Sequence, residues 1–228
     1  MELGGHAPVV IFDDCDLERT VETLAIGKSR NAGQVCVSPT RFYVQDAIHD
    51  RFVAAFTQRY CGLKVGNGLH ADTQMGPLAN SRRISAMAEI VGDAEVQGAR
   101  VLGGGARNDG PGNFWQPTVL ADVPLTARVM NDEPFGPIAA IARFRTLDEA
   151  VDQANRLPFG LAAFAFTENA RQANLIADAL ESGMVGINTT GLAAADAPFG
   201  GVKQSGHGAE DGPEGLMACL VTKTIHQV

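Results

Sequence analysis

Short apolar runs alternate along the chain with stretches in which apolar residues recur every three or four positions. Val9-Val10-Ile11-Phe12, ended by Asp13 and Asp14, predicts a strand. From Asp16 onward Leu17, Val21, Leu24 and Ala25 recur at helical spacing. Acids open that helix, and Lys28 and Arg30 close it, where they would suit the helix dipole. Pro39 breaks the helical pattern, and residues 41–44 read as a second strand. Ile48, Phe52, Ala55 and Phe56 mark another amphipathic helix, with Asp46 as the expected N-cap and Gly62 beyond its end. A loop rich in Gly, Asn and Pro covers 66–80, and Ile84, Met87, Ala88 and Val91 give the stripe of a third helix, stopping near Gly98.

The later part of the chain repeats the alternation. Residues 138–144 form a near-continuous apolar run, as expected of a strand covered on both faces. Thr146 with Glu149 makes a capping-box pattern for a helix through Ala150, Val151 and Ala154, ended by Pro158. A strand at 161–166, a helix through Ala173, Ile176, Ala177 and Leu180, and a strand at 184–188 follow. Strands alternating with helices predict an α/β fold, a doubly wound, largely parallel sheet with helices on both faces. Residues 220–226 alternate like an exposed strand without a partner in the pattern, which suits pairing with another chain.

Composition narrows the class. With 18 Lys and Arg against 26 Asp and Glu, the 228-residue chain carries a formal charge of −8, and no basic field invites nucleic acid. No segment is long and apolar enough for a membrane span, and the first residues lack the basic and apolar regions of a signal peptide. A soluble, cytoplasmic protein is expected. The four cysteines (Cys15, Cys36, Cys61, Cys219) form no CxxC pair and the histidines are scattered, so neither a disulfide framework nor a metal site is expected.

Familiar nucleotide motifs fail on inspection. Gly27-Lys28-Ser29 lacks the glycine a P-loop needs at position 22, which is Glu22, and lies inside a helical stripe. Gly103-Gly104-Gly105 has Asn108 where a dinucleotide fingerprint requires its third glycine. What remains is a cysteine and two glutamates in turns. Asn31-Ala32-Gly33-Gln34-Val35-Cys36 lies between a helix and a strand, where a loop can present a thiol, and nearby Arg30 would favour the thiolate. Glu133-Pro134-Phe135-Gly136-Pro137 is a rigid turn ahead of a buried strand. Each also has an ordinary structural reading: a buried thiol, a turn with a solvated acid.

Together with Glu2-Leu3-Gly4-Gly5 and Pro198-Phe199-Gly200-Gly201-Val202-Lys203 followed by Ser205-Gly206, these segments resemble the aldehyde dehydrogenase superfamily, in order and over essentially the whole chain. The resemblance implies that Cys36 is the nucleophile, forming a thiohemiacetal and then a thioester, and that Glu2 is the general base that activates the hydrolytic water. It implies NAD or NADP as cofactor, with Glu133 holding the nicotinamide ribose and Phe135 packing near the nicotinamide. Phe199 matches an aromatic position of the substrate tunnel. Arg30 matches the arginine by which succinate-semialdehyde dehydrogenases hold the distal carboxylate, with ketoglutarate semialdehyde as the competing substrate. Ala193 stands where a carboxylate-binding serine is expected, and Ser38 where some relatives have a second cysteine.

Family members are roughly twice this length, and the resemblance places this chain as the catalytic half, residues 1–205, followed by a tail at 206–228 with an oligomerisation strand, the N-terminal cofactor-binding domain being absent. Cys36 and Glu133 are expected on one side, at the carboxyl edge of the sheet. The isolated chain is expected to lack redox activity and to form a homodimer through its tail. A non-catalytic assembly module and a cofactor-free thiol esterase remain the alternatives.

Overall fold

A computed structural model describes all 228 residues. Seven strands make one sheet in the order β3-β4-β5-β2-β1-β7-β8, namely β1 (Ala7–Ile11), β2 (Pro39–Gln45), β3 (Arg100–Gly103), β4 (Thr118–Ala121), β5 (Ile138–Phe144), β7 (Ala162–Phe166) and β8 (Met184–Ile187). All pairs are parallel except β3 with β4 at one edge. A two-stranded antiparallel ribbon joins β6 (Phe159–Gly160) to β9 (Val202–Lys203). The expected doubly wound α/β fold is therefore present.

Alternation within β1 shows how the two cores arise. Val9 and Ile11 face one side, where α1 (Leu17–Ser29) contributes Val21, Leu24 and Ala25 and α2 (His49–Cys61) contributes Phe52, Phe56 and Tyr60. Val10 points to the other side, where Phe12 just beyond the strand also packs, with α3 (Ser81–Val96), α4 (Leu147–Asn155) and α5 (Ala170–Ala179) supplying Met87, Ile90, Ala150, Ala154 and Ile176. A central parallel sheet needs apolar residues on both faces, and the strand runs provide them.

The helix ends show local chemistry at work. Asp16 caps α1 by accepting from the Arg19 amide at 3.1 Å, and Thr146 caps α4 by accepting from the Glu149 amide at 3.2 Å. The Glu149 carboxylate reaches back to the Arg145 amide at 2.8 Å, one residue before the cap. Asp46 does not cap α2. That helix begins later, behind Ile48, and the Asp46 carboxylate pairs instead with Arg143 at 3.0 Å.

Lys28 departs from expectation as well. It is wholly buried, because it continues the stripe of Val21, Leu24 and Ala25 inward and does not reach solvent at the helix end. Arg41 is buried too, but its guanidinium donates to the carbonyls of His6, Gln153 and Ala154 and to the Tyr43 hydroxyl at 2.9–3.1 Å, closing the last turn of α4.

At the chain's end, the Leu3 amide bonds Ser205 O and the His207 amide bonds Met1 O, both at 2.9 Å, so the first residues lie along residues 205–207. A short helix, α6 (Gly212–Ala218), follows and buries no residue. Residues 220–228 are exposed and form no strand within the single chain.

Candidate functional site

Glu2 precedes β1, Cys36 precedes β2 and Glu133 precedes β5. All three therefore lie at the amino edge of the parallel strands, on one side as expected but not at the carboxyl edge. The rule that ligands gather at carboxyl edges applies to turns leaving strands. Here the chemistry sits on turns that enter them.

The Cys36 loop is built from strained backbone. Asn31 (φ 48°), Ala32 (φ 52°) and Gly33 (φ 71°) are three successive residues in the left-handed region. Such a run is unfavourable for residues with a Cβ, and side chains hold it in place. Asn31 Nδ2 donates to Gln34 O at 2.9 Å, and Gln34 Nε2 donates to Asn31 O at 3.0 Å. Gln34 Oε1 also accepts the Ala79 amide at 2.8 Å, tying the loop to the chain that enters α3. A Cβ on Gly33 would strike the Gly136 carbonyl. Glycine is thus required where the Cys36 loop lies on the Glu133 turn. That turn has its own strain at Phe135 (φ 42°), and Arg83 from α3 donates to the carbonyls of Pro134 and Phe135.

The Cys36 thiol donates to Glu2 Oε1 at 3.6 Å. Partial burial, then the charge and hydrogen bond of Glu2, push the thiol above its ordinary range, while the Val37 and Cys36 amides pull it down. Arg30, which was expected to favour the thiolate, is not among these influences. The raised thiol thus lies against the Glu2 carboxylate.

The Glu133 carboxyl lies over Gly4, where a Cβ would come within 2.6 Å of Oε2, and the Gly5 amide supports it. Burial raises its pKa, opposed by the Gly5 amide and then by Lys28 and Arg83. Phe135 leaves its ring partly exposed next to it. A carboxylate with an oxygen to spare beside an open aromatic ring fits a ribose and its attached heterocycle.

The substrate candidates separate. Arg30 is exposed and lines a cavity of about 410 Å³ with Val35 and Val37, the residues flanking Cys36, and with Thr190 and Gly191. Phe199 lines a different cavity of about 310 Å³ with Glu2 and His207. Glu2 lines the second cavity, the neighbours of Cys36 line the first, and Arg30 and Phe199 share no wall. Sequence reasoning missed Gln34, Arg83 and the buried Lys28. Only Lys28 left a signal, as a cation on an apolar stripe.

No helix is long and apolar enough to cross a membrane, and no group of three or more His, Cys, Asp or Glu residues gathers as metal ligands.

Residues 1–225 match the model of the aldehyde dehydrogenase family. The chain is 46% identical over 228 residues to 4-(hydroxymethyl)benzenesulfonate dehydrogenase of Comamonas testosteroni, covering 100% of this chain and 47% of that protein. It is 43% identical over 223 residues to an Escherichia coli (strain K12) succinate-semialdehyde dehydrogenase named for NADP(+), covering 98% of this chain and 46% of the relative. Among solved structures, a betaine aldehyde dehydrogenase from Staphylococcus aureus in complex with NAD+ superposes with a TM-score of 0.93 at 39% identity, covering 97% of this chain and 45% of that one. The chain spans about half the length of the curated relatives it matches.

Proposed function

The chain belongs to the aldehyde dehydrogenase family, and from that premise we propose that it carries the cysteine chemistry of an NAD- or NADP-dependent oxidation of an aldehyde with a distal anionic group. The observation that carries this reading is the Cys36 thiol donating to the Glu2 carboxylate at 3.6 Å, with Glu133 at the same edge of the sheet. Glu2 takes the thiol proton, and the Cys36 sulfur attacks the aldehyde carbon. The oxyanion of the resulting thiohemiacetal accepts from the Cys36 amide. A nicotinamide bound beside Glu133 and Phe135 would supply the hydride acceptor that the conversion of the thiohemiacetal to a thioester on Cys36 requires. Glu2, once it has passed the thiol proton on to solvent, draws a proton from water, whose oxygen attacks the thioester carbon. The C–S bond breaks, the acid leaves as a carboxylate with its proton lost to solvent, and Glu2 returns its proton to the Cys36 sulfur.

Glu133 would hold the ribose through its carboxylate, and Phe135 would pack beside the nicotinamide. These two contacts are too few for useful affinity, so the 228-residue chain on its own reduces neither NAD nor NADP above the level of Cys36→Ala. Its tail at 220–226 joins two copies, each strand adding to the other's sheet. A version ending at Gly215 is then monomeric by light scattering where the full chain is a dimer; two monomers at micromolar concentration refute the tail strand.

Arg30 selects the substrate. The Comamonas and Escherichia relatives are named for a sulfonate and a carboxylate, anions that a guanidinium recognises through paired hydrogen bonds. Thiohemiacetal formation tests this without any cofactor. Succinate semialdehyde should shield Cys36 from iodoacetamide at lower concentration than butanal does, and Arg30→Met should erase the difference. Equal shielding by the two aldehydes in the unaltered chain refutes the anionic substrate class.

A further inference from the structure

The loop that follows β8 carries a hydroxyl that neither the fold nor the proposed chemistry uses. Asn188 anchors one end of this loop through two hydrogen bonds with the Thr167 backbone, at 3.0 and 2.8 Å. Leu192 anchors the other end, packing against the core on the α1 side of the sheet and lying close over Gly186. Between these anchors Thr190 is set down on α1 at Gly27. A Cβ on Gly27 would lie 2.8 Å from Thr190 Oγ1, 2.9 Å from Cγ2 and 3.0 Å from Cβ. The threonine side chain thus occupies space on the helix that only a glycine leaves open.

Gly27 in the last turn of α1 and Arg30 at its cap are three residues apart, hence neighbours on one face of the helix. Thr190 and Arg30 accordingly line the same cavity of about 410 Å³, with Val35 and Val37 on either side of Cys36. Neither polar group is used inside the chain. Arg30 joins no ion pair and its guanidinium donates to no residue, and the half-buried Thr190 Oγ1 has no hydrogen-bond partner. Ala193, at the position where a carboxylate-binding serine is expected, is exposed and lines no part of this cavity.

We propose that Thr190 is a specificity-determining residue of the aldehyde site, its hydroxyl donating to the distal anion of the substrate while the Arg30 guanidinium holds that anion through paired N–H groups. This rests on the distal-anion reading of Arg30 given above and adds a second donor, carried by a different element. A fork on α1 and a hydroxyl on the loop after β8 together fix the direction of the anion, and so the placement of the aldehyde carbon at Cys36. The hydroxyl absent at Ala193 is in effect supplied three residues earlier, by a side chain whose position the contact with Gly27 determines.

Shielding of Cys36 from iodoacetamide in the full chain tests this, with succinate semialdehyde and butanal as probes. The quantity read is the butanal concentration at half-shielding divided by that of succinate semialdehyde. Thr190→Val keeps the shape and removes the hydroxyl, and the ratio should fall about tenfold, or to unity, as expected for one lost hydrogen bond to a charged group. Thr190→Ser restores the hydroxyl and should recover most of the ratio. A ratio unchanged in Thr190→Val overturns the proposal and leaves Arg30 as the sole selector. Equal losses in the valine and serine variants also overturn it, because the methyl group and not the hydroxyl would then be responsible. Equal shielding by both aldehydes in the unaltered chain removes the distal-anion reading, and this proposal with it. Should Thr190→Val fail to fold, Thr190→Ala decides by the same ratio.

Discussion

The two edges of the parallel sheet are made of the same kinds of turns but tolerate different things. At the carboxyl edge, the left-handed positions after strands fall on Asp122 (φ 53°) and Asn188 (φ 55°), residue types that accept this conformation. The helices that start there are capped by Asp16, Thr146 and Asn169, and Arg143 pairs with Asp46 and Asp50 at the surface. At the amino edge, left-handed backbone falls not only on Asn31 and Gly33, residue types that accept it, but also on Ala32 and Phe135, whose side chains offer no compensation. Cys36, Glu133 and Lys28 all have shifted ionisation there. Strain and desolvated charge gather at one edge, as they do where a site is held in a fixed geometry.

The largest test of this contrast uses the two buried cations. Arg41 has four hydrogen-bond acceptors and serves the fold, whereas Lys28 has one. Between about pH 7 and 10.5 the unfolded chain holds a proton on Lys28 that the folded chain does not. Stability from this group therefore rises with pH across that window, and its penalty is full below about 7. Lys28→Met should accordingly raise stability below pH 7 by roughly 3–5 kcal/mol, and the gain should fade as pH approaches 10.5. Arg41→Met should lower stability by about 3 kcal/mol, because it strands buried carbonyls. Urea unfolding at pH 6 and pH 10 reads both; a destabilised Lys28→Met at pH 6 means the ammonium is better satisfied than its single hydroxyl implies.

Next in size is Gly33→Ala. The added Cβ meets a backbone carbonyl of the Glu133 turn at a φ of 71°, and neither partner can swing away. A loss of more than about 2 kcal/mol is expected, with slower alkylation of Cys36 as its loop is displaced. Gly110→Ala, also left-handed but in open space, should lose less. Equal losses would show that backbone strain alone, and not the contact between the two turns, sets the requirement for glycine.

These tests bear on what the sequence could convey. Strand and helix periodicity revealed the sheet and its two faces, because Val9, Ile11 and the α1 stripe obey fixed spacings. The four-residue strand β4, between a turn-rich loop and Pro124, was too short to show. Asp46 misled because a capping residue type was present while α2 begins beyond its reach. Lys28 was visible as a basic residue at a helix end, yet its place seven after Val21 and four after Leu24 put it on the buried face. The position of Cys36 before Pro39 and of Glu133 before Ile138 already pointed to the amino edge, and the general rule for parallel sheets hid it. That Glu2 and Cys36 meet is a matter of the turns preceding neighbouring strands, which no local spacing expresses.

A smaller effect distinguishes the two roles of Glu2. Its carboxylate holds the Cys36 proton in place and so raises the thiol. Glu2→Gln removes that charge, and the pH profile of Cys36 alkylation by iodoacetamide should move toward lower pH, with a faster rate at pH 7. Hydrolysis of a preformed Cys36 thioester should slow in the same variant. A profile that stays in place would mean burial alone raises the thiol, and Glu2 is then too distant to be its proton acceptor.

The smallest change asks whether the strain in the Cys36 loop is carried by the backbone itself. Ala32 is buried at a φ of 52°, where a Cβ crowds the following carbonyl and costs about 1–2 kcal/mol. Ala32→Gly relieves that crowding but frees the unfolded chain by up to about 1 kcal/mol, and it opens a methyl-sized gap. The balance should be near zero or slightly stabilising, within about 1 kcal/mol. At Asn188, whose Oδ1 accepts the Thr167 amide at 3.0 Å and whose Nδ2 donates to Thr167 O at 2.8 Å, the same change to glycine should destabilise by about 1–2 kcal/mol. The two substitutions remove a side chain from the same backbone conformation at opposite edges. If Ala32→Gly is as destabilising as Asn188→Gly, the amino edge is not the strained one and the contrast between the edges fails.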